Sequence, residues 1–128
     1  MKWCKKMVID VIALILISMT LGSFGQVYLK MGLRNIGTLD LKDLMTEKLI
    51  SIITDKNVIL GIALYGVATL LWFVVLSKAE LSYAYPLIAL SYVVTAILAK
   101  FYFNETISII RWAGILAIIF GAFLITRS

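Results

Sequence analysis

Residues 57–99 read NVILGIALYGVATLLWFVVLS-KAE-LSYAYPLIALSYVVTAILA, two uncharged runs parted by three residues. The runs Asn57–Ser77 and Leu81–Ala99 are 21 and 19 residues long. A helix rises ~1.5 Å per residue, so each run can cross the ~30 Å hydrocarbon core of a bilayer. The charges fall in the link Lys78-Ala79-Glu80, where water can reach them, and not in the runs. So short a link forces the two helices into an antiparallel hairpin.

Working outward, Val11–Leu29 is a third uncharged run, of 19 residues, and Trp112–Thr126 a fourth, of 15. Ile107, Ile109 and Ile110 lengthen the fourth, with Arg111 snorkelling to the interface. The expectation is an all-α membrane protein whose 128 residues form a single four-helix transporter domain. Its spans fall at about 8–30, 57–77, 82–103 and 108–126. Hydrophobic residues make up 62% of the chain and mean hydropathy is +1.04, far from the balance of a soluble domain. The basic stretch Met1–Lys6 before the first run resembles a signal peptide, but the run is long for one, and a retained first helix is expected.

Function classes fall away with composition. The chain has no histidine and one cysteine, Cys4, which excludes a His/Cys metal site, an intrachain disulfide and His-dependent nucleophiles. No cofactor is expected, and no soluble catalytic domain fits, so the chain reads as a transporter and not an enzyme. The net charge of +5 suits interfacial Lys and Arg or an anionic lipid head group. Nucleic acid is not an expected partner, because that requires a basic soluble face.

The connection between the first two spans is long and carries Asp40–Lys56. Leu41, Met45, Leu49, Ile52 and Ile53 recur at helical spacing there, with Asp40 as N-cap and Asp43 in the first turn. The pattern predicts an amphipathic helix over about 40–54 lying in the membrane interface, with a surface loop as the alternative. Four spans put both termini and Lys78 on one side. That side carries Lys2, Lys5, Lys6, Lys78 and Arg127; the other carries Lys30, Arg34, Lys42, Lys48, Lys56, Lys100 and Arg111. Five basic residues against seven leave orientation open to dual insertion or to a partner's control.

Polar atoms in hydrocarbon need partners or a task. Ser18, Gly22, Gln26 and Lys30 recur every four residues along one face of the first span. This stripe is either a groove wall ending in a basic site or small-residue helix packing. Tyr65, Thr69 and Trp72 share a face of the second span; Trp72 suits either a cavity or an aromatic belt. Tyr85 and Tyr92 lie on one face of the third span, and Ser91 and Thr95 on another. Pro86 sits in a first turn or, if the helix starts earlier, frees a carbonyl. Glu105 precedes the last span and can pair with Arg111 or Lys100 or cap the last helix. Lys30, Arg34, Lys100 and Arg111 share a side, and two or three together could hold a phosphate. Gly114 and Gly121, seven apart, form a candidate dimer face.

Three stretches carry a resemblance: Gly25-Gln26-Val27-Tyr28-Leu29-Lys30-Met31-Gly32, Ala84-Tyr85-Pro86 through Ser91-Tyr92, and Asn104-Glu105-Thr106-Ile107-Ser108 with Arg111-Trp112-Ala113-Gly114. In order and spacing they resemble the EamA-like, four-helix branch of the drug/metabolite transporter superfamily, over nearly the whole chain except residues 39–56. Small multidrug resistance exporters in that superfamily carry a membrane-embedded Glu that aligns with Gly22 here, so their proton and cation site is missing. The chain is more similar to the flippase subunits for aminoarabinose linked to undecaprenyl phosphate. That resemblance implies a multi-pass cytoplasmic-membrane protein, a homodimer or a heterodimer with a paralogous subunit, moving a lipid-linked sugar. Lys30, Arg34, Lys100 and Arg111 would then serve the phosphate. Gln26, Trp72, Tyr85, Ser91 and Tyr92 would line the groove, and Glu105 would orient a basic partner or a sugar amine. Export of small organic cations, with Trp72, Tyr85 and Tyr92 as aromatic faces, is the alternative. A non-transporting accessory subunit is a third.

Overall fold

The computed structural model describes residues 2–128, with side chains from residue 5 onward. Lys2 and Cys4, named above, lie outside the described side chains. Helix α1 is Lys2–Ile36; a 3-10 turn, Leu41–Met45, and a short helix α2, Glu47–Thr54, follow. Then come α3, Lys56–Lys78, α4, Leu81–Ile88, α5, Ser91–Phe103, and α6, Ile109–Arg127. Four segments are long and apolar enough to cross a bilayer: residues 5–36, 56–78, 81–103 and 109–127. The chain is therefore an all-α, multi-pass membrane protein.

Two details differ from the sequence expectation, and a third selects between the two alternatives for Pro86. The first helix runs past residue 30 to Ile36, because no residue breaks it before Gly37, which has φ +97° and closes the helix with an N–H bond to the Leu33 carbonyl at 3.0 Å. The amphipathic stretch is divided at Thr46, whose backbone is extended. Its hydroxyl donates to the Asp43 carbonyl at 2.9 Å and accepts from the Lys48 N–H at 3.4 Å, ending one piece and capping the next. The third span starts at Leu81, so Pro86 lies beyond the first turn and has no N–H for the Ser82 carbonyl. The helix tightens at Ala89-Leu90, where the Ala89 and Leu90 N–H groups reach back three residues to Pro86 and Leu87, each at 3.1 Å.

The core sits at the hairpin end. Val11 and Ile15 of α1, Val75 of α3, Ala84 and Leu87 of α4 and Ala122 of α6 are buried together there. Farther along, α1 and α3 cross backbone to backbone. A Cβ placed on Gly25 would stand 2.9 Å from the Gly61 carbonyl oxygen, and one on Gly61 would stand 2.8 Å from that of Gly25. Only glycine at both positions permits this approach. Helix α6 is held more loosely. Ile115 and Ala122 are buried, while Ile109, Ile110, Leu116 and Phe120 are exposed. A Cβ on Gly114 or Gly121 would meet nothing within 4 Å.

Candidate functional site

Beyond the core the helices part and leave a half-open groove of about 570 Å³. That lies within the ~300–1,000 Å³ common for small-molecule sites. Helix α1 gives it Ser18, Gly22, Ser23 and Gln26; α3 gives Tyr65, Ala68, Thr69 and Trp72. The third span contributes Tyr85, Ser91, Tyr92 and Thr95. Side-chain hydrogen bonds fix this frame. The buried Ser18 hydroxyl donates to the Ala68 carbonyl at 2.8 Å. Ser23 donates to the Ser91 carbonyl at 3.3 Å and accepts from the Thr95 hydroxyl at 3.1 Å, joining α1 to α5. Trp72 and Tyr85 meet edge to face, with centroids 6.3 Å apart.

The floor is satisfied and the rim is free. Among the described residues every buried side-chain nitrogen or oxygen has a hydrogen-bond partner. Tyr85 and Tyr92 are 63% and 64% exposed, so the groove opens along their side. No carboxylate is among the groove residues. Among the described residues no cluster of three or more His, Cys, Asp or Glu could hold a metal ion.

One helical turn past Gln26, the stripe on α1 ends at Lys30, and the chemistry changes from amides and hydroxyls to charge. Helix α5 closes at Asn104, which adopts a left-handed conformation with φ 52° and ψ 34°. Asn tolerates that geometry better than most residues. The turn carries Glu105 back toward α1, where its carboxylate pairs with the Lys30 ammonium. Phe103, one residue before the turn, sits under two cations: Lys30 Nζ at 4.9 Å and the Arg34 guanidinium at 5.5 Å from its ring centroid. The Lys30 hydrogen bond and charge hold the Glu105 carboxyl below its ordinary value, and the charges of Arg111 and Arg34 act in the same direction.

Of the residues singled out from the sequence, Gln26, Trp72, Tyr85, Ser91 and Tyr92 come together around one groove. Lys30 pairs with Glu105 and shares the Phe103 ring with Arg34, while Arg111 acts on Glu105 through its charge alone. Lys100 does not join them; its ammonium lies over the Trp112 ring at 5.9 Å. Glu105 belongs to this charged end and not to the groove lining. Two participants were missed. Phe103 looked like one more apolar residue in a span, and the signal that marks it is its place just ahead of an Asn-Glu turn. Ser23 lies beside the stripe in sequence, and its hydroxyl joins two helices.

The sequence matches the EamA-like transporter family over residues 3–127. It is similar to the probable 4-amino-4-deoxy-L-arabinose-phosphoundecaprenol flippase subunit ArnF of Photorhabdus laumondii. The identity is 34% over 120 residues, covering 88% of this chain and 93% of that protein. Shorter matches link it to probable ArnE subunits of the same flippase. The Pseudomonas syringae protein is 29% identical over 72 residues, 56% of this chain and 67% of that one. The Aeromonas hydrophila protein is 37% identical over 67 residues, 52% of this chain and 59% of that one. No solved structure gives a significant match.

Proposed function

We propose, for a chain that belongs to the EamA-like transporter family, that it flips a polyprenyl-phosphate-linked sugar of the aminoarabinose type across the cytoplasmic membrane. The observation that carries this reading is the order of chemistry: a polar and aromatic groove, then Lys30 one turn past Gln26 on α1 and Arg34 a turn beyond it, with Arg111 of α6 acting on the same carboxylate. The polyprenyl chain stays in lipid, which costs nothing. The sugar occupies the groove, where Trp72, Tyr85 and Tyr92 offer ring faces and Gln26 and Thr69 offer polar atoms. The phosphate meets Lys30, Arg34 and Arg111, whose fixed positive charge replaces lost hydration. No covalent step is needed, so the chain acts as a transporter and not as an enzyme.

The working unit is a dimer, with a second copy or a paralogous subunit. One chain leaves the groove open on its tyrosine side and leaves Gly114 and Gly121 of α6 uncovered. The names of the relatives as subunits support the same reading. The 3-10 turn and α2 lie flat at the bilayer surface. Leu41 and Met45 are 86% and 94% exposed there, which lipid accommodates and water does not.

The test is binding of a short-chain polyprenyl phosphate to purified protein. Lys30→Ala and Arg111→Ala should each weaken it about tenfold, as expected for losing one charge-assisted contact, while the variants stay folded. Unchanged affinity in both would remove the phosphate site. The Trp72–Tyr85 pair favours a second reading, export of organic cations. Resistance of expressing cells to quaternary ammonium compounds would support that reading, although the groove supplies no carboxylate to balance such a cargo.

A further inference from the structure

Lys30 and Arg34 stand four residues apart on α1, so their side chains share one face of the helix. Like charges at that spacing repel, and their common position needs a stabilising partner. The helix C-terminus favours Arg34, which lies in the last turn. Glu105 pairs with Lys30, and among the described residues Arg34 has no ion pair. What the two cations have in common is Phe103, the half-buried last residue of α5. The Lys30 ammonium lies 4.9 Å and the Arg34 guanidinium 5.5 Å from its ring centroid.

A ring face attracts a cation through its quadrupole but carries no net charge, so it fixes the cation without neutralising it. A second carboxylate in its place would cancel one of the positive charges. From this we infer that Phe103 is a positioning residue of the phosphate site: its ring gathers the Lys30 ammonium and the Arg34 guanidinium at one place and leaves both charged for a single phosphate. This role rests on the lipid-linked phosphate reading above. An ammonium has three N–H donors and a guanidinium five, so both cations keep donors for phosphate oxygens while the ring and Glu105 stay engaged. The Lys30–Glu105 pair therefore survives phosphate binding. Ordering two long side chains is a cost of association, and the ring orders them before the ligand arrives. The turn at Asn104 sets Phe103 and Glu105 two residues apart against the same lysine.

The experiment measures binding of a short-chain polyprenyl phosphate to the detergent-solubilised full chain. Phe103 is replaced by phenylalanines carrying an increasing number of ring fluorines, which drain the ring face of negative potential and nearly preserve its shape. Affinity should fall stepwise along the series, by about three- to tenfold at its end, the value of two partly exposed cation–π contacts. Phe103→Leu should match the end of the series, and Phe103→Tyr, which keeps a ring face, should stay within about twofold of wild type. A flat series beside a weakened Phe103→Leu overturns the inference and leaves the phosphate site standing, since a ring that acts by shape alone behaves that way. Affinity that rises with fluorination overturns it too, because the ring would then withhold the cations from the ligand. Absence of binding to wild type overturns the parent reading along with it. The fluorinated series keeps the side chain's volume, so it decides the matter even if Phe103→Leu does not fold.

Discussion

Lys30 of α1, one helical turn beyond Gln26 of the groove, and Glu105 of the turn after α5 form an ion pair. The carboxyl is held below its ordinary value of 4.5, chiefly by the Lys30 hydrogen bond. A group whose folded value is depressed adds stability above its unfolded value and loses it as pH falls through the folded one. The stability difference between wild type and Glu105→Gln should therefore be constant above about pH 5 and vanish on acidification below the ordinary value. Thermal unfolding in detergent at several pH values reads this directly. A difference that grows as pH falls would contradict the assignment.

Gly61→Ala should destabilise the monomer by about 1–3 kcal/mol, because the added methyl meets backbone that cannot retreat. Gly114→Ala should leave monomer stability unchanged, since its Cβ direction is open. The larger Gly114→Leu should keep the fold and lower the dimer fraction. Unfolding midpoints and cross-linking yields separate the two positions; a Gly114→Ala change as damaging as Gly61→Ala would refute the packing described.

Ser23→Ala removes a donor to the Ser91 carbonyl and leaves the Thr95 hydroxyl without its acceptor. The cost should be about 0.5–2 kcal/mol, felt where α1 meets α5. Adding Thr95→Val to Ser23→Ala should cost less than the two changes summed, because both remove the same contact. Strict additivity in a double-mutant cycle would speak against the bond.

Leu41→Ser together with Met45→Ser should leave the four spans intact, since both side chains are exposed. The pair of changes should abolish protection of residues 41–54 by lipid. Fluorescence of a probe at position 49, read in vesicles, should shift toward the spectrum of water. An unshifted spectrum would show that this segment does not lie in the interface.

The fold was legible because hydrocarbon imposes a simple requirement: long uncharged runs and charges only between them. The runs at 57–77 and 81–99 and the link Lys78-Ala79-Glu80 sufficed to set the hairpin. The helix end at Gly37 was not legible, since Lys30 and Arg34 read as an interface although the helix continues beneath them. The groove was partly legible. The stripe from Ser18 to Lys30 follows helical spacing and could be read within one element. The pairing of Lys30 with Glu105 joins positions 75 apart in sequence, so only the folded arrangement reveals it. Lys100 illustrates the converse: it shares a side with Lys30, but its place on α5 turns it to Trp112 instead.

The measurement closest to the central claim is native mass spectrometry of the protein released gently from its own membrane. The account predicts a dimer that retains an adduct with the mass of a polyprenyl phosphate bearing an amino sugar, and loss of that adduct in Lys30→Ala. A dimer that carries no lipid phosphate but takes up added quaternary cations would contradict it.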